Sequence, residues 1–237
     1  MIVYSSGFAS DACAKLRGEE HEPLEYCLHN VAQKIRALQN HVGASNTTIY
    51  LSHPVNFREQ FYPEYKANRD IAHKPYWYKE IQNYLLEVKG ALYSELGDEA
   101  DDALGIAQME AFEEGRRSII VSIDKDLDMI PGLHYNFSKT RKDSGVYEED
   151  DPECLRLFYR QLIKGDSADN IPGLFKRKGM KATEILMCPL DDMTSPRQMW
   201  NYVLDLYDGD EDFLAMTGKL LWIKRWKGDD AWWEPPR

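Results

Sequence analysis

The sequence is poor in cysteine and has no long apolar run. Its four cysteines are scattered and form no Cys-x-x-Cys pair, which argues against a zinc site or a disulfide framework. We interpret Cys13, Cys27, Cys154 and Cys188 as reduced, buried structural thiols. No apolar stretch approaches the roughly 18 residues that a membrane span needs, so we expect no membrane partner.

Targeting signals and repeats are also missing. The segment from Met1 to Ser6 has neither the basic region nor the apolar length of a secretory signal peptide. No repeat or low-complexity stretch interrupts the chain. We therefore expect a cytoplasmic protein, located in the host cytoplasm if its source is a virus.

Positive charge is in deficit. The net charge of −11 argues against nucleic acid as a partner, because an acidic chain repels a polyanion. The argument weakens if the acidic residues gather around metal ions while basic residues cluster elsewhere. With 237 residues, 43% of them hydrophobic, the chain can form one large domain, alone or with a helical appendage.

Apolar periodicity predicts helices alternating with strands. This order is typical of a mostly parallel sheet with helices on both faces. The pattern changes after about residue 165 to loops and short helices. The predicted helices cover 23–42, 75–96, the segment after Gly97 with Asp98 as its N-cap, and 152–164; the predicted strands cover 47–51 and 118–123.

Seven carboxylates fall in three groups at predicted element ends. Beyond the carboxyl ends of parallel strands, such groups can meet at one place. Like charges so close repel unless a cation lies among them, and oxygen-only clusters suit Mg²⁺ or Mn²⁺. Such an ion site usually acts on phosphate esters. Taken singly, each group could instead cap a helix or turn. The groups are Glu99, Asp101 and Asp102; Asp124 and Asp126; and Asp166 and Asp169.

Basic and aromatic residues interleave between Phe57 and Lys79. This pattern suits a strand of nucleic acid, since cations contact phosphates and aromatic faces stack on unpaired bases. The alternative is an amphipathic surface segment whose aromatic side chains pack inward.

Four ordered motifs together resemble the 5′-nuclease superfamily, which includes flap endonucleases and the 5′-nuclease domain of bacterial DNA polymerase I. The resemblance covers nearly the whole chain, and the compact length and tryptophan-rich tail look most like the bacteriophage replication exonucleases. The motifs are Tyr-Pro-Glu-Tyr-Lys-Ala-Asn-Arg at 62–69, Glu-Ala-Asp-Asp at 99–102, Ser-Ile-Asp-Lys-Asp at 122–126, and Gly-Asp-Ser-Ala-Asp-Asn-Ile-Pro-Gly-Leu at 165–174.

The resemblance implies a three-layer, PIN-like α/β nuclease domain with a mostly parallel sheet over residues 1–160. An arch segment over about 57–90 belongs to it. Residues 161–237 are expected to hold a helix–three-turn–helix region that grips duplex DNA, and the tail. The implied activity is metal-dependent 5′–3′ exonuclease or 5′ flap endonuclease action on DNA with a 5′ end, flap or nick. RNA–DNA hybrids are an expected second substrate.

The resemblance also implies roles for individual residues. The seven carboxylates would hold two or more Mg²⁺ or Mn²⁺ ions, with Asp124 and Asp126 also counted as catalytic. Lys66 and Arg69 would contact the scissile phosphate, with Arg58 and Tyr65 as further DNA contacts. The basic residues after the last motif would bind duplex phosphates, although a merely solvated loop is the alternative. These residues are Lys176, Arg177, Lys178 and Lys181.

Two carboxylates of the family pattern are missing. One would lie ahead of Met1, so either the chain as given starts late or this ligand is lost. His53 stands near the place of the other, but neutral histidine is a poor magnesium ligand, and a surface histidine is the alternative. These departures motivate a second hypothesis, a degenerate relative that binds branched or nicked DNA without efficient cleavage. A third hypothesis, a PIN-type ribonuclease, is disfavoured by the motif at 165–174.

Four tryptophans near the C-terminus are expected to cover the sheet rather than to stack on DNA. Alternatively, the last two dock a replication-protein partner. They are Trp222, Trp226, Trp232 and Trp233.

Overall fold

A computed structural model describes residues 1–69, 74–138 and 145–229. The ten α-helices in these ranges are α1 (Ile2–Leu16), α2 (Leu24–Val42), α3 (Phe57–Phe61), α4 (Tyr78–Glu87), α5 (Ala100–Glu113), α6 (Asp151–Lys164), α7 (Leu174–Lys178), α8 (Glu184–Met187), α9 (Pro196–Leu206) and α10 (Glu211–Leu221). The strands are β1 (Tyr50–Leu51), β2 (Leu92–Tyr93), β3 (Ile119–Ser122), β4 (Gly132–Asn136) and β5 (Tyr147–Glu149). Two 3₁₀ helices cover Lys125–Met129 and Cys188–Asp192.

The strands form two small sheets. Strands β1 and β2 pair in parallel, with Tyr50 opposite Leu92. Strand β3 pairs in parallel with β4, and β5 runs antiparallel to β4. The prediction of an α/β fold with a mostly parallel sheet is confirmed, as are the predicted helices at α2 and α6 and the strand at β3.

Two predictions around residues 75–99 are wrong. The helix predicted over 75–96 is α4 alone, because the chain turns at Gly90, whose φ is +65°, and then enters β2. Asp98 is not the N-cap of α5; that residue is Glu99. The Asp98 carboxylate is instead buried and accepts a hydrogen bond of 2.8 Å from Lys224 Nζ.

Two large hydrophobic clusters organise the packing. One is formed by α1, α2, α4 and β1, around Val31, Ile81 and Leu85. The other surrounds α6, with Phe158 and Leu162 fully buried beneath the C-terminal helices. Helix α6 thus packs with elements on both sides of residue 160. The division into 1–160 and 161–237 stays a prediction, as does the arch over 57–90, part of which lies outside the described residues.

The tail and the cysteines differ from expectation. Trp222 packs on Phe158 of helix α6, with ring centroids 5.0 Å apart. Trp226 is partly exposed, and Trp232 and Trp233 lie outside the described residues. Cys27 and Cys154 are buried as predicted, but Cys13 and Cys188 are exposed.

Across the described ranges, the helices are too short or too polar to span a membrane.

Candidate active site

A buried ion pair lies under the N-terminus of α5. Arg58, at the start of α3, donates hydrogen bonds of 2.7 and 2.9 Å to the two carboxylate oxygens of Asp102. It also donates to the carbonyl oxygen of Leu220 at 3.0 Å, and the Lys224 amide donates to Asp102 at 3.1 Å. Burial alone would raise the pKa of Asp102, but the Arg58 guanidinium overrides it and holds this pKa below its usual range. The charged groups of Arg58 and Asp102 are therefore paired with each other.

The burial of Arg58 and Asp102 indicates that this ion pair has a structural role. Arg58 is only 3% exposed, so its guanidinium does not face solvent where a phosphate could approach. A DNA contact at Arg58 stays a prediction. Asp102 is fully buried, and its carboxylate is paired with Arg58.

A second network joins the 62–69 motif to two of the other carboxylates. The Tyr65 hydroxyl donates to Glu99 at 2.7 Å and to Asp169 at 3.2 Å. Lys66 forms an ion pair with Glu99 and lies 3.6 Å from Asp169, which also pairs with Arg69. Burial acts to raise the pKa of Glu99, yet the Lys66 and Arg58 charges lower it overall. Three motifs that are distant in sequence thus meet at one place.

The backbone around Lys66 adopts an uncommon conformation. Its φ is +56°, and its amide donates to the Asp169 carbonyl at 2.9 Å. Asn170, with φ of +58°, donates its side-chain amide to the Glu64 carbonyl at 2.8 Å. Non-glycine residues seldom adopt positive φ, and such strain concentrates at functional sites. These contacts dock the 62–69 turn onto the 165–174 turn.

The remaining four carboxylates come from three segments. Burial, followed by the negative charges of Asp124 and Glu99, raises the pKa of Asp101 to about 7. Burial, followed by the charges of Asp124 and Asp166, raises the pKa of Asp126 to about 6. Asp124 lies two residues after the end of β3 and accepts a hydrogen bond of 3.1 Å from the Asp126 amide. The fold therefore concentrates negative charge where β3, α5 and the 165–174 turn meet.

The donor set fits hard divalent cations. Within residues 1–69, 74–138 and 145–229, no three acidic, histidine or cysteine side chains lie close enough together to hold one ion between them. However, the described part of the chain offers no basic partner in an ion pair with Asp101, Asp124, Asp126 or Asp166. Burial first, and then repulsion from neighbouring carboxylates, raises the pKa values of Asp101 and Asp126, and a bound cation would relieve that repulsion. All four offer only oxygen ligands, as Mg²⁺ and Mn²⁺ prefer.

His53 lies in a local turn. Its Nδ1 accepts a hydrogen bond of 3.0 Å from the Val55 amide, and its ring lies edge-on to Tyr93. Metal ligation by His53 stays a prediction.

Three of the basic residues predicted to bind duplex DNA lie in α7 and the fourth, Lys181, follows it; all four are exposed. Two of them form ion pairs with the turn between α9 and α10: Arg177 with Asp210, and Lys178 with Asp208 at 2.7 Å.

The 165–174 turn before α7 is tight. Gly165 and Gly173 approach so closely that a Cβ on Gly173 would lie 2.3 Å from the Lys164 carbonyl. The order of α6, turn and α7 provides the helix–turn–helix part of the predicted region.

Sequence reasoning missed two polar residues of the site. Gln161 on α6 donates to Asp126 at 2.6 Å, and its only signal was a polar residue on an otherwise apolar helix face. The Ser52 hydroxyl accepts from the Ala100 amide at 3.0 Å and ties the end of β1 to the start of α5. Tyr65, which is predicted to contact DNA, has a buried side chain, and its hydroxyl donates hydrogen bonds to Glu99 and Asp169.

The fold and site define an α/β domain with an acidic centre at the carboxyl ends of its parallel strands, faced by a lysine and an arginine. Residues 3–149 match the family described as 5′-3′ exonuclease, N-terminal resolvase-like domain. The chain belongs to this family.

Two curated relatives illustrate the similarity. The 5′-3′ exonuclease of Buchnera aphidicola is 34% identical over 136 residues, which are 54% of this chain and 47% of that protein. The exonuclease of Escherichia phage T7 is 34% identical over 124 residues, 51% of this chain and 40% of that protein. The matched region thus spans less than half the length of either relative.

Solved structures confirm the fold. The T5 D15 protein, co-crystallised with metal ions, superposes with a TM-score of 0.61 at 19% identity and covers 91% of this chain and 85% of its own. A complex of the T5 D15 flap endonuclease with DNA and metal ions gives a TM-score of 0.55 at 19% identity, over 82% and 80%. The predicted PIN-like architecture is confirmed at the level of fold.

Proposed function

We propose that this chain is a divalent-metal-dependent nuclease that hydrolyses DNA phosphodiesters as a 5′–3′ exonuclease or 5′ flap endonuclease. One observation carries the proposal: carboxylates from α5, the end of β3 and the 165–174 turn converge opposite Lys66 and Arg69. Family membership and the names of the relatives support it.

Asp101, Asp124, Asp126 and Asp166 would hold Mg²⁺ or Mn²⁺, with Glu99 and Asp169 at the edge of the set. Bound ions supply a lowered pKa for an attacking water and neutralise charge on the leaving oxygen. Gln161 orients Asp126 through its 2.6 Å hydrogen bond. Tyr65 fixes Glu99 and Asp169 relative to each other, so the acidic set is positioned before substrate arrives.

Lys66 and Arg69 would contact the scissile phosphate. The ion pairs of Lys66 with Glu99 and of Arg69 with Asp169 support this assignment. A cation held there stabilises the charge that develops during hydrolysis. Arg69 is 55% exposed and can reach an incoming strand, whereas Lys66 is 19% exposed and lies deeper.

Duplex binding would rest on Lys176, Arg177, Lys178 and Lys181. Phosphate contacts of this kind are selective for DNA structure, weakly selective for sequence and sensitive to salt. DNA with a 5′ end, flap or nick is the proposed substrate, with RNA–DNA hybrids second. A replication-protein partner at the tail and a cytoplasmic location complete the proposal.

The test uses a 5′-tailed duplex labelled at each end in turn, with Mg²⁺, Mn²⁺ or chelator. We expect metal-dependent release of short products from the 5′ end. Asp124→Asn should abolish cleavage and keep DNA binding, while the exposed control Asp205→Asn should cleave normally. Tight binding without cleavage under both metals would contradict the proposal and support the degenerate relative.

A further inference from the structure

Two of the cations proposed to bind duplex phosphates are paired with carboxylates of the same chain. Arg177 forms an ion pair with Asp210, and Lys178 Nζ lies 2.7 Å from a carboxylate oxygen of Asp208. Both carboxylates belong to residues 207–210, which join α9 to α10 and which we call the acidic turn. Each of these two cations therefore has an anionic partner within the chain.

Further contacts fix both cations on the side of α7 that faces the acidic turn. Lys178 Nζ donates a hydrogen bond of 3.0 Å to the Leu206 carbonyl, at the end of α9. The Arg177 guanidinium lies over the ring of Phe213 on α10, 5.3 Å from the ring centroid. A phosphate that binds either cation has to compete with the carboxylate beside it, because the two anions use the same N–H donors.

The acidic turn has a defined backbone. Asp210 is the N-cap of α10, and its side chain accepts a hydrogen bond of 3.2 Å from the Phe213 amide. The hydrogen bond from Arg177 lowers the pKa of Asp210, so this carboxylate is charged at neutral pH. Asp208 has a φ of +56°, which non-glycine residues seldom adopt. A helix cap and a left-handed residue thus determine where the turn presents its two carboxylates.

The ion pairs are accessible and can open. Arg177 is 51% exposed and Asp208 is 78% exposed, so a DNA backbone can reach this surface. Lysine and arginine bind carboxylate and phosphate oxygens through the same kind of charge-assisted hydrogen bond. Exposed ion pairs are individually weak. A phosphate can therefore displace each carboxylate, but the displacement reduces the affinity that the cation would otherwise give.

We propose that Asp208 and Asp210 compete with DNA phosphates for Lys178 and Arg177, and that this competition lowers the affinity of the protein for duplex DNA. The duplex displaces both carboxylates when it binds at α7. This inference rests on the proposed function, because it names two residues that oppose the duplex binding assigned to this surface.

The test replaces Asp208 and Asp210 together with asparagine. Asparagine caps helices as well as aspartate does and tolerates positive φ, so this change removes two charges and keeps the turn. The matched control is Asp205→Asn with Asp212→Asn, which removes two exposed charges from α9 and α10.

The affinity for a fluorescent blunt duplex is measured by anisotropy in chelator. The salt concentration is about 0.15 M, where exposed charges more than about 8 Å apart are largely screened. We expect the Asp208→Asn, Asp210→Asn variant to bind about three- to tenfold more tightly than the unmodified chain. The control variant should change the affinity by less than about twofold. An equal gain in the control would overturn the inference, because net charge alone would then explain it.

A second double variant, Arg177→Ala with Lys178→Ala, removes the cations and should weaken duplex binding. Adding the two asparagine substitutions to it should change the affinity by less than about twofold, because the carboxylates then have no cation to release. If removal of the cations weakens binding but the asparagine variant binds like the unmodified chain, the competition is refuted and the proposed duplex surface stands. If removal of the cations leaves binding unchanged, the duplex-binding role proposed for Arg177 and Lys178 fails as well.

Discussion

Replacing Arg58 with alanine removes the cation of the buried ion pair and leaves the Asp102 carboxylate, which is 0% exposed, without its charge partner. Two charge-assisted hydrogen bonds to Asp102 and two bonds to the carbonyls of Leu220 and Trp222 are lost. Breaking a buried pair by removing one partner costs about 3–5 kcal/mol.

The expected loss lies at the lower end of that range. Asp102 still accepts hydrogen bonds from the amides of Glu99 and Lys224, at 3.0 and 3.1 Å. These two bonds satisfy part of its charge. We therefore expect Arg58→Ala to lower the free energy of unfolding by about 3 kcal/mol.

The assay is urea denaturation followed by far-UV circular dichroism in chelator. Arg36→Ala, at an exposed position on α2, is the matched control and should change the unfolding free energy by less than about 0.5 kcal/mol. Arg58→Met combined with Asp102→Leu should be more stable than Arg58→Ala, because it leaves no unpaired buried charge. A loss below about 1 kcal/mol in Arg58→Ala, with native spectra, would refute the structural role given to this pair.

Three other predictions follow from the site. The folded-state pKa of Asp101 is about 7, above its unfolded value, so its destabilising effect in chelator is absent at pH 3 and grows as the pH rises to 7. Asp101→Asn should therefore raise the Tm by about 2–4 °C at pH 8 and leave it unchanged at pH 3; equal shifts at both would contradict this. Gly173→Ala should cost about 2–3 kcal/mol in urea denaturation, because its Cβ would overlap the Lys164 backbone; a neutral result would mean that the turn can open. Lys66→Ala should reduce single-turnover cleavage about 10²- to 10³-fold, whereas the exposed control Lys79→Ala should not.

The elements that sequence predicts well are those in which the spacing of apolar residues matches the face that packs against the protein. Helix α2 and helix α6 carry an apolar stripe along their whole length, and β3 is a short β-branched run. The failed prediction over 75–96 shows the limit of periodicity. Leu92 stays in helical phase with Leu85, but β2 forms through pairing with β1, a contact that no local pattern contains.

The residues of the site also fall into those that the sequence identifies and those that it does not. Its carboxylates could be found from sequence because they are clustered and follow element ends. The pairing of Arg58 with Asp102 could not, since it depends on chain segments 44 residues apart that meet beneath Leu220. The hydroxyl contacts of Tyr65 with Glu99 and Asp169 could not be predicted either, because composition identifies an aromatic residue but does not show which way its ring faces.

The contacts around Asp102 also determine the order in which parts of the site can fold. Its carboxylate takes a hydrogen bond from the Lys224 amide, and its arginine partner rests on the carbonyls of Leu220 and Trp222. A ribosome must therefore synthesise and release residue 224 before the N-terminus of α5 can settle. During translation, an unfinished chain would carry all seven carboxylates and still lack these contacts, so the acidic centre is complete only after α10 and the residues up to 224 have packed.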